Sequence, residues 1–250
     1  MKLITSLILS TSLLALADVK VTVGDLTDKR TTGKFFAGMD VDLKISGPEL
    51  ADCKGIRIIV KEAKDDTGKA IKAKEGGFND GGFDTPQKAF GGFGDDEKKK
   101  EPEFQLKIEL ENPARAAKTF TVDASLELLI PSKDPKALVT VDIAKEAGKP
   151  LASESLKAAG ATITMKAAKD DEVGYTISDP NKKVATVEFC TADGKPLERS
   201  GTMSSGFFGK KDMTVTLREK APAGVLAKIF LITEISVVSV PVKLAGVALP

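Results

Sequence analysis

Residues 104–111 read FQLKIELE, and their reading decides the fold. Phe104, Leu106, Ile108 and Leu110 fall on one face of an extended chain and Gln105, Lys107, Glu109 and Glu111 on the other, because successive side chains of a strand point to opposite sides. A segment of that kind buries one face and wets the other, as a strand of an antiparallel sheet does. The same period of two recurs in both directions. Upstream are VKVTV from Val19, VDLKI from Val41 and IRIIV from Ile56. Downstream are FTVDASLELLI from Phe120, LVTVDI from Leu138, TITM from Thr162, VATVEF from Val184, MTVTL from Met213 and KIFLITEISVVSV from Lys228. So many short strands with turn residues between them predict an all-β protein of sandwich type.

The halves of the chain repeat one another. IRIIVKEAKDDTGKAI, from Ile56, and VATVEFCTADGKPL, from Val184, each run from a strand into an Asp-x-Gly or Asp-Gly turn, followed by Lys and, two residues later, an apolar residue. Gly91-Gly92-Phe93-Gly94 then meets Gly206-Phe207-Phe208-Gly209, FQLKIELENPARAAKTFTVDASLEL meets MTVTLREKAPAGVLAKIFLITEISV, and Pro113 meets Pro222. Ahead of its turn the first unit has two clear strands, whereas the second has the weaker TITMKAAKDDEVGYTI, which reads as a trimmed or rearranged start. The only convincing helix is short, in ASESLKAAG, with Ser153 as its cap, Leu156 and Ala159 on its inner face and Gly160 as its left-handed end. The predicted organisation is a first sandwich over 18–145, a helical linker over 146–160 and a second sandwich over 161–250.

The first seventeen residues, MKLITSLILSTSLLALA, combine one positive charge, an apolar run and a closing Ala-Leu-Ala, the pattern of a cleaved export signal. The apolar run is shorter than the roughly 18 to 20 residues a membrane-spanning helix needs. Cleavage before Asp18 would leave 37 − 1 = 36 basic against 36 acidic residues and a formal charge of zero. The expected address is the periplasm or the extracellular space, with no transmembrane segment in the mature chain. A neutral chain with five scattered arginines has no field or guanidinium cluster for nucleic acid. Cys53 and Cys190 lie in different halves and lack the spacing of a disulfide framework, so a bridge between them stays open.

Chemistry is limited by what is missing. The chain has no histidine, which removes His-based triads, His-containing zinc sites and imidazole proton shuttles. No Gly-x-Ser-x-Gly elbow, Ser-x-x-Lys pair or phosphate-cradling glycine loop occurs. The acid runs Asp65-Asp66, Asp95-Asp96-Glu97 and Asp170-Asp171-Glu172 are adjacent in sequence, whereas paired acid–base work needs two carboxylates converging from separate strands, about 5 to 10 Å apart. The expectation is a protein that is not an enzyme and carries no resident cofactor.

One segment stands out from this frame. Residues 76–104, GGFNDGGFDTPQKAFGGFGDDEKKKEPEF, carry Gly-Gly-Phe three times and form an insertion over about 73–103, where the second unit has the shorter ERSGTMSSGFFGKKD. Phe78, Phe83, Phe90 and Phe93 are candidates for an apolar contact with a partner, or for side chains that fold back and pin the insertion to the sandwich. Asn79, Asp80 and Asp84, with glycines that let carbonyls turn inward, are candidate calcium ligands, although they lack the Asp-x-Asp-x-Asp-Gly order and its closing Glu.

The strand pattern, the TADGKPL turn, the duplicated unit and the export signal together resemble bacterial immunoglobulin-like modules of exported proteins. The resemblance spans residue 18 to the C-terminus and is one of fold and repeat style. It implies two tandem immunoglobulin-like antiparallel sandwiches joined by a short helix, and a binding or scaffolding role toward another envelope or extracellular protein. A secreted carboxylate-dependent hydrolase and a chaperone-like assembly subunit with an open sheet edge stand as the alternatives.

Overall fold

A computed structural model describes residues 19–31, 37–74, 82–84, 87–88, 103–207 and 209–250. The expected export signal, residues 1–17, lies outside them. Among the described residues no helix is long and apolar enough to cross a membrane.

The chain is mostly strand. The first six strands are β1 (Lys20–Lys29), β2 (Gly38–Ser46), β3 (Gly55–Asp65), β4 (Gln87–Lys88), β5 (Glu103–Leu110) and β6 (Thr119–Leu129). β7 (Leu138–Asp142) is followed by two short helices, α1 (Ile143–Glu146) and α2 (Glu154–Ala159). Then come β8 (Thr162–Met165), β9 (Glu172–Ser178), β10 (Val184–Cys190), β11 (Arg199–Phe207), β12 (Lys210–Leu217), β13 (Leu226–Leu231) and β14 (Val237–Ala248). Among the described residues all pairings are antiparallel, in four sheets of order β1-β2-β5-β4, β14-β6-β3, β11-β12-β9-β8 and β10-β13-β7.

The alternation of FQLKIELE does what its period requires. Phe104, Leu106, Ile108 and Leu110 of β5 are buried and stand opposite Ile45, Leu43, Val41 and Met39 of β2, which are fully buried. This apolar face meets Ile56 and Ala63 of β3 and Phe120, Val122, Ala124, Leu126 and Leu128 of β6 in one core, so two sheets pack face to face in a sandwich-like arrangement. A second core gathers Ile163 and Met165 of β8, Val173 and Tyr175 of β9, Phe189 of β10, Val215 and Leu217 of β12 and Ala227, Ile229 and Leu231 of β13.

The two sheet pairs have the same wiring. Replacing β1-β2-β5-β4 by β8-β9-β12-β11 and β3-β6 by β10-β13 carries one strand order into the other. The turns after β3 and β10 match bond for bond. Asp65 N–H donates to the Lys69 carbonyl at 3.0 Å and Thr191 N–H to the Lys195 carbonyl at 2.9 Å; Gly68 N–H donates to the Asp65 carbonyl and Gly194 N–H to that of Thr191. Gly68 and Gly194 close these turns at φ +86 and +84, where a side chain would be strained. The weak start of the second repeat holds two strands, β8 and β9, so it matches the first in number.

The seventh strand breaks the simple tandem. β7 directly follows β6 but pairs with β13, and β14 directly follows β13 but pairs with β6. Each repeat therefore has the seat beside its sixth strand filled by the strand that follows the sixth strand of the other. Residues 237–248, which sequence order assigns to the second unit, place Val240, Val242 and Leu244 in the first core. Strand length favours this exchange: β14 (12 residues) matches β6 (11), and β7 (5) matches β13 (6), whereas hairpins in place would pair 11 with 5 and 6 with 12. Pro241, which donates no hydrogen bond, is tolerated because β14 lies at the edge of its sheet.

The helix in ASESLKAAG forms as its caps require. Ser153 Oγ accepts from Leu156 N–H, and Gly160 ends the helix at φ 71. Leu156 is buried in the second core, so α2 packs as part of that core rather than standing between the two as a spacer.

Candidate functional site

Of the residues singled out in the 76–104 segment, Phe83 and Asp84 are described; Phe78, Asn79, Asp80, Phe90 and Phe93 lie outside the described residues. Phe83 is folded onto β3. Its ring lies 4.4 Å from the Arg57 guanidinium, in a cation–π contact, and a Cβ placed on Gly55 would come within 2.8 Å of the Phe83 Cβ. The absent side chain at Gly55 thus makes the seat for the phenylalanine. Arg57 also meets Glu127 of β6 at 2.7 Å, which fixes the guanidinium under the ring. Asp84 exchanges two backbone hydrogen bonds of 2.9 Å with Ile56. Both residues therefore tie the segment to the outer edge of the β14-β6-β3 sheet. Among the described residues no group of three or more Asp, Glu or Cys is placed to hold a metal ion.

The acid runs are used by the backbone. Asp65 is buried; one carboxylate oxygen accepts from Thr67 Oγ1 and from the N–H groups of Thr67 and Lys69, and the other from Ala114 N–H at 2.7 Å. These bonds, led by the Thr67 hydroxyl, hold its carboxyl down to about 2. Asp66 accepts from Lys118 N–H, and the carbonyls of Asp170 and Asp171 accept from Ala221 and Leu217. Residues 95–97 lie outside the described residues. A carboxylate saturated with N–H and O–H donors has little basicity left for general-base work, which separates Asp65 from the catalytic pattern.

The two thiols are free and buried. Cys53 Sγ donates to the Gly55 carbonyl at 3.1 Å, and burial pushes its thiol up to about 11; burial also raises that of Cys190. Thiols so protonated are weak nucleophiles and weak metal ligands.

A polar network sits where the chain passes between the two cores, and nothing in the sequence pattern marks it. The chain crosses at 130–137 and again at 232–236, and the two crossings are stitched together. Ile130 N–H donates to the Ser236 carbonyl at 2.7 Å, and Thr233 Oγ1 donates to Asp134 Oδ2 at 2.6 Å. Ser236, fully buried, accepts at Oγ from Thr233 N–H, while Ser236 N–H donates to Thr233 Oγ1. Asp134 is itself buried, and the Thr233 hydroxyl, then Lys136 N–H, hold its carboxyl below the usual range.

A second tie lies beside this knot. Lys54, between the 48–52 turn and β3, donates its backbone N–H to Leu129 and reaches over with Nζ to both carboxylate oxygens of Glu188 on β10, at 2.9 and 3.1 Å. The same ammonium stands 5.0 Å from the Phe230 ring centre. The pair is half-buried, so its Coulomb attraction is less screened than that of a surface pair.

No family model matches the sequence, and no curated protein or solved structure is significantly similar to it.

Proposed function

We propose that the chain is an exported, non-catalytic scaffolding or binding protein made of two immunoglobulin-like sandwiches that have exchanged their last strands. With β1 to β6 named A to F and β14 named G, the orders β1-β2-β5-β4 and β3-β6-β14 read A-B-E-D and C-F-G, the arrangement of constant-type immunoglobulin domains. The second sandwich has the same order with β7 in the G seat. On this reading the first module comprises residues 19–130 and 237–250, the second is residues 137–232, and the address rests on the leader. The partner is another envelope or extracellular protein.

The observation that carries the scaffolding reading is the double crossing. Modules joined by one linker swivel by default. Two linkers, hydrogen-bonded to each other by Thr233 to Asp134 and by Ile130 N–H to the Ser236 carbonyl and flanked by the Lys54–Glu188 pair, hold two modules in one orientation. A rigid spacing of two sandwiches is what a scaffold supplies and a single-site hydrolase does not need. The test is a spin-label distance measurement between Lys44→Cys on β2 and Lys211→Cys on β12, both at exposed positions. A single narrow distribution is expected; a broad one, as from swivelling modules, would remove the basis for the reading.

A further inference from the structure

Sheets end in edges, and an edge with unpaired N–H and C=O groups templates another strand unless something obstructs it. Among the described residues, obstruction is present at nearly every sheet edge. β1 is bulged between Val23 and Leu26 and carries Lys20, Asp25, Asp28 and Lys29; β3 is bulged between Val60 and Glu62 and carries Arg57, Lys61, Glu62 and Lys64. β14 has Pro241, Lys243 and a bulge between Leu244 and Val247. β4, β7 and β8 are two, five and four residues long, and β10 is bulged and carries Glu188 with its Lys54 partner.

β11 is the exception. It is nine residues long, pairs among the described residues on one side only, with β12, and is regular from Gly201 to Phe207. From Ser200 to Gly206 it reads SGTMSSG, with no charge and no proline. Residues 202–206 are exposed on both faces of the strand, Met203 to 70%, so this stretch of β11 stands clear of the core that Val215 and Leu217 of β12 enter.

We propose that β11 is a self-association edge, pairing antiparallel with β11 of a second copy to join two β11-β12-β9-β8 sheets into one. Charge selects this occupant. A two-fold axis through Met203 sets Ser200 opposite Gly206, Gly201 opposite Ser205, Thr202 opposite Ser204 and Met203 opposite itself, so no like charges meet, and Arg199 faces Phe207 rather than another cation. Antiparallel self-pairing of β1 or β3 would cross strands laden with lysines and acids, at a bulge. The outward-facing Met203 pair supplies an apolar contact at the axis, and residues with small side chains on either side let the sheets approach. The inference does not depend on the scaffolding reading.

Sedimentation of the full chain up to about 1 mM, the weak end of specific association, is the first measurement. A dimer is expected, reduced to monomer by Met203→Lys with an unchanged thermal melt, because the exposed position bears on pairing and not on the core. In parallel, Met203→Cys should form an intermolecular disulfide under mild oxidation, while Lys44→Cys on β2 should not. A wild-type chain that sediments as a monomer throughout would overturn the proposal, and so would a dimer that survives Met203→Lys while Met203→Cys fails to crosslink.

Discussion

Ending the chain after Ser236, which removes β14 and keeps the knot at the crossings, should unfold the module at the other end of the sequence. Val240, Val242 and Leu244 are 5, 4 and 8% exposed and pack in the first core, with Val238, Val247 and Leu249 against its margin. Three buried aliphatic side chains contribute about 1.5–3 kcal/mol each, or about 5–9 kcal/mol together. Their loss also strips β6 of its ladder on one side. A domain of this size is stable by only about 5–15 kcal/mol, so the first core is expected to lose most or all of its stability.

Built-in reporters separate the two modules. Cys53 belongs to the first core and Cys190 is fully buried at the end of β10, so thiol labelling followed by peptide mapping reads them individually. Tyr175, the sole tyrosine in a chain without tryptophan, is buried in the second core against Phe189 and reports that core by fluorescence. In the truncated protein Cys53 should label quickly, amides of β2 and β5 should exchange, and Tyr175 emission and the amides of β8 and β9 should stay as in the full chain. If instead the second core opens and Cys53 remains protected, the last strand belongs to the module that precedes it in sequence and the exchange described above is wrong.

Three further outcomes are expected. Ser236→Ala leaves Thr233 N–H without its buried acceptor and should cost about 1–3 kcal/mol in a denaturant melt, with broadening of the inter-module spin-label distances; an unchanged melt would show that the knot contributes nothing net. Burial pushes the Tyr175 hydroxyl up to about 12, so the unfolded chain ionises near 10.0 while the folded one stays neutral. Stability should therefore fall between about pH 10 and pH 12 by about 2–3 kcal/mol, and Tyr175→Phe should abolish that share of the loss, with the 295 nm titration giving the folded value directly. Replacing residues 89–102 by a short Gly/Ser turn should leave the melt nearly unchanged, since loop closure changes by only about 0.6 kcal/mol per doubling of length. Phe83→Ala, by contrast, removes the ring from Arg57 and should cost about 1 kcal/mol; the reverse pattern would show that residues 89–102 hold the fold and Phe83 does not.

What the sequence made legible is what local physics encodes. Alternation in residues 104–111 named the four buried side chains of β5, Ser153 and Gly160 marked the ends of α2, and the match of Gly68 with Gly194 anticipated two turns that agree bond for bond. Strand partnership was not legible, because a period of two tells which face is buried but not which neighbour supplies the hydrogen bonds. KIFLITEISVVSV read as one run, whereas the chain breaks at 232–236 and sends its halves to different cores; the buried Ser236 that makes the break looks, in sequence, like any polar residue of an alternating strand. β11 shows no strand pattern for a different reason. Gly201 and Gly206 have low strand propensity and the segment lacks apolar alternation, and pairing with β12 makes RSGTMSSGF extended. In the candidate site, Phe83 was singled out for its composition, but the seat at Gly55 and the Arg57 partner are tertiary contacts across the sheet edge that no spacing announces.

The exchanged strands also set an order of assembly. β6, with its apolar FTVDASLELLI run, is synthesised with β3 as its only partner, and the strand that covers its other side emerges after all of β7 to β13 has been made. The second sandwich can close as soon as β13 appears, because its seventh strand is already present; the first, though earlier in the chain, must wait with an open edge. Contacts that span so much sequence close slowly. During synthesis the vulnerable species is thus a chain whose C-terminal module is finished and whose N-terminal module is not, with β6 as the surface that a holding chaperone would have to cover.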